Sequence, residues 1–145
     1  MFLASCIKED STNYYGYLKN TTNHQIKITP YFSGALIQAN IVTLSPNERK
    51  EIAYGSVRGL QNGGGFTSKY FSGSDSIIVT FDDLYPISHY LITPISLRPK
   101  YYLHSSTRNI GNIDSYQVQV KNLSAHIREN IFSFEFVEQD YLDAQ

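Results

Sequence analysis

The apolar residues of this chain recur at every second position in several segments, and this period restricts its fold more than any other feature. Phe132, Phe134 and Phe136 alternate with polar residues, so their rings are expected on one face of a strand. Residues 25–29 and 116–120 alternate in the same way. No comparable stretch has the period of an amphipathic helix. The pattern therefore favours an all-β sandwich over a parallel α/β fold, which would need crossover helices.

Turn-forming residues divide the chain into short strands, and we expect about 7–9 of them in an antiparallel β-sandwich. The expected strands are residues 15–20, 25–29, 35–44, 50–54, 76–81, 87–93, 100–104, 116–120 and 130–137. The strand at 76–81 is the most apolar and is expected at the centre of a sheet. Glycine-rich residues 55–75 are expected to form a long loop with a brief strand at 66–70, and residues 140–145 a polar tail with one helical turn.

Composition limits the partners of this chain. With 145 residues, 41% of them hydrophobic, it has the size and core content of one folded domain, expected over residues 14–145. The formal net charge of −1 creates no field that attracts nucleic acid, so no nucleic-acid partner is expected. No stretch approaches the roughly 20 apolar residues that a membrane-spanning helix requires.

The N-terminal segment contains the only cysteine, Cys6, which cannot form an internal disulfide. Residues 3–6 (Leu-Ala-Ser-Cys) resemble a bacterial lipobox, in which an aliphatic residue and two small residues precede the lipidated cysteine. Small residues fit a signal-peptidase cleft, and acyl chains anchor a protein to a bilayer. Residues 1–5 are therefore interpreted as a residual signal peptide, and residues 6–13 as the lipidated cysteine and a polar tether. The alternative is an unmodified cysteine near a frayed end.

The residues that follow Cys6 refine this interpretation. Lys8, Glu9 and Asp10 resemble the export signal that directs lipoproteins of Bacteroidota to the outside of the outer membrane. The resemblance implies a domain that faces the cell exterior and is held at the membrane by its N-terminal lipid. The alternative is that these charged residues form only a solvated tether.

Five further segments, at residues 18–28, 44–48, 75–83, 108–110 and 134–141, carry a likeness that extends over most of the chain. They resemble a group of small, uncharacterised lipoproteins of Bacteroidota. The resemblance implies a lipoprotein with an immunoglobulin-like β-sandwich, and it implies no activity.

Asp82, Asp83 and His89 are the candidate metal site in the sequence. Carboxylates at a strand end near a histidine could hold a divalent cation. The favoured alternative is that both aspartates bond turn amides while His89 packs within a strand. No cofactor is expected.

The sequence carries no clear catalytic motif. No serine lies in a Gly-x-Ser-x-Gly elbow, and the only thiol is assigned to the anchor. We therefore expect a non-catalytic binding or structural module and not an enzyme. The alternatives are a hydrolase or metal-dependent enzyme on the same scaffold, and a subunit or inhibitor in an outer-membrane complex. The 12 tyrosines suit a protein or glycan partner, although sheet packing is the favoured interpretation for most of them.

Overall fold

The computed structural model of this chain describes residues 8–61, 71 and 73–145. Within these residues the chain forms ten strands and one α-helix. They are β1 (Ser11–Asn20), β2 (Ile26–Phe32), β3 (Ala35–Leu36), β4 (Val42–Leu44), β5 (Arg49–Arg58), β6 (Ser76–Phe81), β7 (Tyr85–Tyr90), β8 (Tyr101–Tyr102), β9 (Gln117–Asn122), β10 (Ile127–Phe136) and α1 (Glu138–Ala144). Two short 3-10 turns lie at Gln38–Asn40 and Ile113–Ser115.

The strands form two sheets, which confirms the all-β sandwich. The four-stranded sheet has the order β5-β1-β10-β9. The six-stranded sheet has the order β3-β2-β6-β7-β8, with β4 also paired to β2. The expectation of a purely antiparallel arrangement is wrong for two pairs, because β1 runs parallel to β10 and β7 runs parallel to β8. No tight hairpin joins either pair, since parallel neighbours need a longer connection.

The core lies between the two sheets, and β10 supplies three of its largest side chains. Phe132, Phe134 and Phe136 are each 1% exposed, which confirms that the alternation places their rings on one face. The ring of Phe136 meets that of Phe81 in the other sheet edge-on, at a centroid distance of 6.4 Å. Such aromatic contacts between sheets add to the stabilisation that comes from burying apolar surface. β6 lies centrally in its sheet, between β2 and β7, as predicted.

The predicted single strand at residues 35–44 is wrong. The chain instead forms β3, continues through the 3-10 turn at Gln38–Asn40, and returns as β4 along the same edge of β2. Pro30 of β2 lies opposite the break and has no amide hydrogen to donate to a neighbouring strand. A continuous third strand would therefore lose part of its ladder at this point.

β1 begins earlier than the sequence pattern predicts, so that Ser11–Asn13 belong to the sheet and not to the tether. These residues pair with both β5 and β10. Thr12 is 1% exposed, and its hydroxyl donates to the carbonyl of Gly59 at 2.7 Å. The segment lacks an apolar alternation because its inward residue, Thr12, is polar. The hydroxyl of Thr12 can be buried because the carbonyl of Gly59 accepts its hydrogen bond.

The remaining elements agree with their predictions to within a few residues, with two exceptions. β5 continues to Arg58, into the segment that was expected to be loop. β9 is exposed along its whole length, although its alternation predicts a half-buried strand. The predicted strand at 66–70 lies outside the described residues. In the described part of the chain, no helix has the length and apolarity to cross a membrane.

The predicted C-terminal tail is a helix that packs against the sandwich. α1 covers Glu138–Ala144, and both Asp140 and Ala144 are buried in it. Tyr141 packs on the core and meets Phe81 edge-on at a centroid distance of 5.8 Å. The helix therefore closes one end of the space between the sheets, which its polar sequence does not suggest.

Candidate functional site

The candidate metal site of Asp82, Asp83 and His89 is not assembled. His89 lies within β7, whereas both aspartates have positive φ angles in the turn between β6 and β7. The imidazole is 2% exposed, and its Nδ1 accepts a hydrogen bond from the amide of Ile110 at 3.0 Å. Burial, with a smaller contribution from the charge of Arg108, lowers the pKa of His89 to about 3. In the part of the chain that the structure describes, no group of three or more His, Cys, Asp or Glu residues could hold a metal ion.

Asp82 contacts a different histidine, His24. Its Oδ2 lies 2.6 Å from Nδ1 of His24, and its Oδ1 accepts a hydrogen bond from the amide of Gln25 at 2.9 Å. Nε2 of His24 lies 3.4 Å from Glu138, and its ring stacks on Tyr141 at a centroid distance of 3.5 Å. Burial acts to lower the pKa of His24, but the hydrogen bonds and charges of Asp82 and Glu138 outweigh it, and the pKa is raised. The imidazole therefore joins α1 to the β6–β7 turn.

A second polar cluster, formed by Arg108 and Asp140, holds α1 in place. Asp140 is 3% exposed; its Oδ1 accepts from Nε of Arg108 at 2.8 Å, and its Oδ2 accepts from Nη2. Oδ2 also accepts from the amide of Val137 at 2.9 Å, at the start of the helix. Arg108 donates to the carbonyl of Glu135 at 2.8 Å and lies over the ring of Phe134. These contacts are structural, because the carboxylate is enclosed by its partners.

The residues of the proposed export signal lie at the entrance to β1. Oδ1 of Asp10 is 2.7 Å from Nδ1 of His126, and Oε2 of Glu9 is 3.2 Å from Nη2 of Arg58. Both pairs are exposed, so each contributes little to stability. Lys8 is exposed as well. Cys6, the proposed lipid anchor, lies outside the described residues.

The outer face of the four-stranded sheet brings aromatic and polar side chains into two neighbouring rows that cross all four strands. The first row is Tyr54, Tyr15, Ile131 and Gln119. The second row is Glu51, Tyr17, Ser133 and Gln117. Side chains of a strand alternate between its faces, and the buried positions of β1 and β10 alternate with these residues. We refer to these eight residues as the tyrosine face.

Close contacts order the aromatic rings of the tyrosine face. The rings of Tyr15 and Tyr54 have a centroid distance of 5.1 Å, and Tyr54 remains 63% exposed. The guanidinium carbon of Arg49 lies 3.7 Å from the ring centroid of Tyr17, whose hydroxyl donates to Glu51 at 3.2 Å. Burial, followed by nearby carboxylates, raises the pKa of both Tyr15 and Tyr17. Both hydroxyls therefore stay protonated and can donate hydrogen bonds at neutral pH.

Among the residues that the structure describes, acidic and basic side chains lie on the tyrosine face and in the two adjoining rows in equal numbers. The three acidic residues are Glu51, Glu129 and Glu135, and the three basic residues are Lys19, Arg49 and Lys121. Their formal charges sum to zero, and Lys19 pairs with Glu135 at 3.3 Å. A groove of about 650 Å³ lies over the part of this surface formed by β9, β10, Tyr17 and Arg49, beside the rings of Tyr15 and Tyr54, and is within the size range of small-molecule sites. The surface therefore offers hydrogen-bonding groups and rings without a net charge.

The tyrosine content of the sequence predicts such a surface only in general terms. The outward positions of β1 and β10 form a visible alternation, and this signal groups Tyr15 with Tyr17 and Ile131 with Ser133. This alternation does not show that Tyr15 and Tyr17 lie beside Ile131 and Ser133. Their proximity depends on the parallel pairing of β1 with β10, which are far apart in the sequence. The pair of His24 and Asp82 also has no signal, since 58 residues separate them.

The fold and this surface define a β-sandwich with one open sheet face of aromatic and polar side chains. Comparison of the chain with protein-family models, with curated proteins and with solved structures finds no match. The site is therefore interpreted from its own chemistry.

Proposed function

We propose that this protein is a lipid-anchored binding module of the bacterial outer membrane that faces the cell exterior and contacts its ligand through the tyrosine face, without catalysis. The observation that carries the proposal is the pair of rows on the open sheet, where the exposed ring of Tyr54 and the half-buried rings of Tyr15 and Tyr17 lie beside amides, hydroxyls and balanced charges. Tyrosine suits binding surfaces because it offers a large apolar ring and a polar tip at low entropic cost.

The chemistry of the tyrosine face favours an uncharged glycan as its ligand. The rings of Tyr15 and Tyr54 can stack on the apolar faces of sugar rings, while Gln117 and Gln119 can donate to and accept from sugar hydroxyls. The zero sum of formal charges gives no long-range attraction to a polyanion or a polycation. An uncharged, hydroxyl-rich chain matches both properties.

Removing the two neighbouring rings of Tyr15 and Tyr54 is expected to weaken glycan binding by about tenfold or more, because an aromatic contact is worth about 0.5–1.5 kcal/mol beyond its buried area. The variant is Tyr15→Ala combined with Tyr54→Ala. The measurement is affinity electrophoresis in gels that contain a neutral polysaccharide, run over a series of β-glucans, mannans and xylans. Retardation of the wild-type protein by one of them, lost in the variant, is the expected result.

The matched control for this experiment is Tyr101→Ala. Tyr101 is a 39% exposed tyrosine in the six-stranded sheet, so its loss is expected to leave retardation unchanged. The glycan proposal is wrong if no neutral polysaccharide retards the wild-type protein. It is also wrong if the double variant, folded by circular dichroism, is retarded as strongly as the wild type.

The anchor in this proposal is a lipid on the thiol of Cys6. The support is the lipobox-like segment at residues 3–6, followed by the charged residues Lys8, Glu9 and Asp10. The described chain begins its first strand at Ser11, so a lipid at Cys6 would leave the domain close to the membrane surface on a short connection. More than one acyl chain is needed for stable anchoring.

Replacing the proposed anchor residue is expected to release the protein from the membrane. Intact cells of the native host that express the wild-type chain or Cys6→Ala are treated with protease and then fractionated. The wild-type domain should be membrane-bound and cut from the cell surface, whereas the variant should leave the membrane fraction. Mass spectrometry that finds an unmodified Cys6 thiol in protein from the host would contradict the anchor, and protection from protease would contradict external display.

A further inference from the structure

The described part of the sandwich has four sheet edges: β5 and β9 in one sheet, and in the other β8 and the edge that β3 and β4 form together beside β2. A strand at an edge presents unpaired backbone N–H and C=O groups, which can pair with another chain. Natural sheets protect their edges by short strands, bulges, charged residues or a covering element. The four edges of this protein differ in how far they are protected.

Three of these edges have recognisable protection. β3 and β8 contain two residues each and β4 contains three, too few for an extended ladder. β5 has a register shift opposite Gly16 and Tyr17, and it carries the consecutive charged residues Arg49, Lys50 and Glu51. A bulge twists an edge strand, and charges oppose the approach of a second strand.

β9 lacks these features. Its sequence Gln-Val-Gln-Val-Lys-Asn forms six regular residues, all of them exposed, and Lys121 is its only charged residue. Among the described residues, β10 is the only strand that pairs with it. Val118 and Val120 pair with inward-facing positions of β10, yet they remain 47% and 43% exposed. Within residues 8–61, 71 and 73–145, the edge therefore presents both a backbone ladder without a second strand and uncovered apolar side chains.

We propose that β9 pairs antiparallel with β9 of a second copy of this chain, about a two-fold axis that lies between the two Gln119 residues. In this register Gln119 faces its own counterpart, Gln117 faces Lys121, and Val118 faces Val120. Each valine thus meets a valine of the other copy on one face, and no like charges are directly opposed on the other face. Two-fold pairing of identical patches is the commonest symmetry of homo-oligomers.

Neighbouring registers fit less well, and this favours the axis at Gln119. Moving the axis to Val120 places Val118 opposite Asn122, and moving it to Val118 places Lys121 opposite Ser115, beyond the end of β9. A register shifted by one residue would pair Val118 with Gln119 of the other copy. The valines of the two copies would then lie on opposite faces of the sheet. The axis at Gln119 alone pairs both valines with valines.

Pairing at this edge would extend the proposed binding surface. Gln117 and Gln119 belong to the tyrosine face, so the faces of the two copies would meet along the new ladder in one eight-stranded sheet. Two linked binding faces can engage one polymeric ligand more strongly than either alone. Because two short strands bury less than a standard interface, we expect reversible association and not a permanent dimer.

The test is a charge exchange at the two-fold axis, measured by analytical ultracentrifugation of the full chain up to about 1 mM. The wild-type protein should show a concentration-dependent monomer–dimer equilibrium. Gln119→Lys and Gln119→Glu should each weaken association by about fivefold or more, because identical charges then face each other across the axis. An equal mixture of the two variants should restore it, because opposite charges are then paired.

The matched control places the same two charges at Gln25, an exposed glutamine directly before β2 of the other sheet. Both control variants should associate like the wild type. A wild-type protein that stays monomeric over the whole concentration range would overturn the proposal. So would a dimer that both Gln119 variants retain, or one that a mixture of them fails to restore, because each result places the contact elsewhere.

Discussion

Replacing Phe134 with alanine is expected to lower the free energy of unfolding by about 3–5 kcal/mol. Phe134 is 1% exposed and packs against Tyr116 and Phe136 at centroid distances of 5.5 and 5.0 Å. Its removal loses the favourable free energy of transferring the ring from water to the core. It also leaves a cavity that the rigid neighbouring strands cannot fill. The measurement is urea denaturation followed by circular dichroism, which suits a chain without tryptophan.

The control for this prediction is Phe32→Ala, in which the same atoms are removed from a surface position. Phe32 lies at the end of β2 and is 55% exposed, so the expected change is within about 0.5 kcal/mol. Equal losses in the two variants would show that burial does not explain the contribution of Phe134. The folded fraction of each variant without denaturant is measured first.

The alternation of β10 explains why the fold class could be predicted from the sequence. Phe132, Phe134 and Phe136 repeat every two residues, and this period has a direct structural meaning because successive side chains of a strand point to opposite faces. The breaks in the pattern were harder to predict. The interruption of residues 35–44 lies opposite Pro30 of the neighbouring strand, which has no amide hydrogen to donate, and no local feature of that segment shows this.

Pairing between distant strands could not be predicted, and it determines most of the candidate site. Tyr15 lies between Tyr54 and Ile131 because β1 pairs with β5 on one side and with β10 on the other. A register shift beside Gly16 changes which residue of β5 faces Tyr17. Such a shift moves side chains relative to their cross-strand neighbours, so strand boundaries alone cannot locate the tyrosine face.

The C-terminal helix illustrates how a polar sequence can be part of a packed structure. Residues 140–145 predict a polar tail with one helical turn, yet Asp140 is buried, and Arg108 and the amide of Val137 satisfy its carboxylate. A buried charge is tolerated only when it is paired and hydrogen-bonded. The partner Arg108 lies 32 residues away, in a loop without a regular pattern, so the sequence gives no indication of the pair.

Replacing Asp140 with alanine is expected to lower the free energy of unfolding by about 3 kcal/mol and to release α1 from the sandwich. Breaking a buried ion pair costs about 3–5 kcal/mol, and the lower end applies because the Arg108 side chain is 32% exposed. The variant leaves both the guanidinium and the amide of Val137 without their carboxylate. The measurement is urea denaturation together with hydrogen exchange of the amides in α1, whose protection should fall more than that of β10.

A double-mutant cycle separates this ion pair from helix propensity and from general packing. Arg108→Ala combined with Asp140→Ala should cost clearly less than the sum of the two single variants, because each single variant leaves one charge without its partner and the double variant leaves none. Asp143→Ala provides a control on the same helix. Its carboxylate accepts from Tyr102 at 2.5 Å but is only partly buried, so we expect a loss of about 1 kcal/mol. Additive losses at Arg108 and Asp140 would mean that the two residues stabilise the protein independently, and that the helix is held by Tyr141 and its neighbours instead.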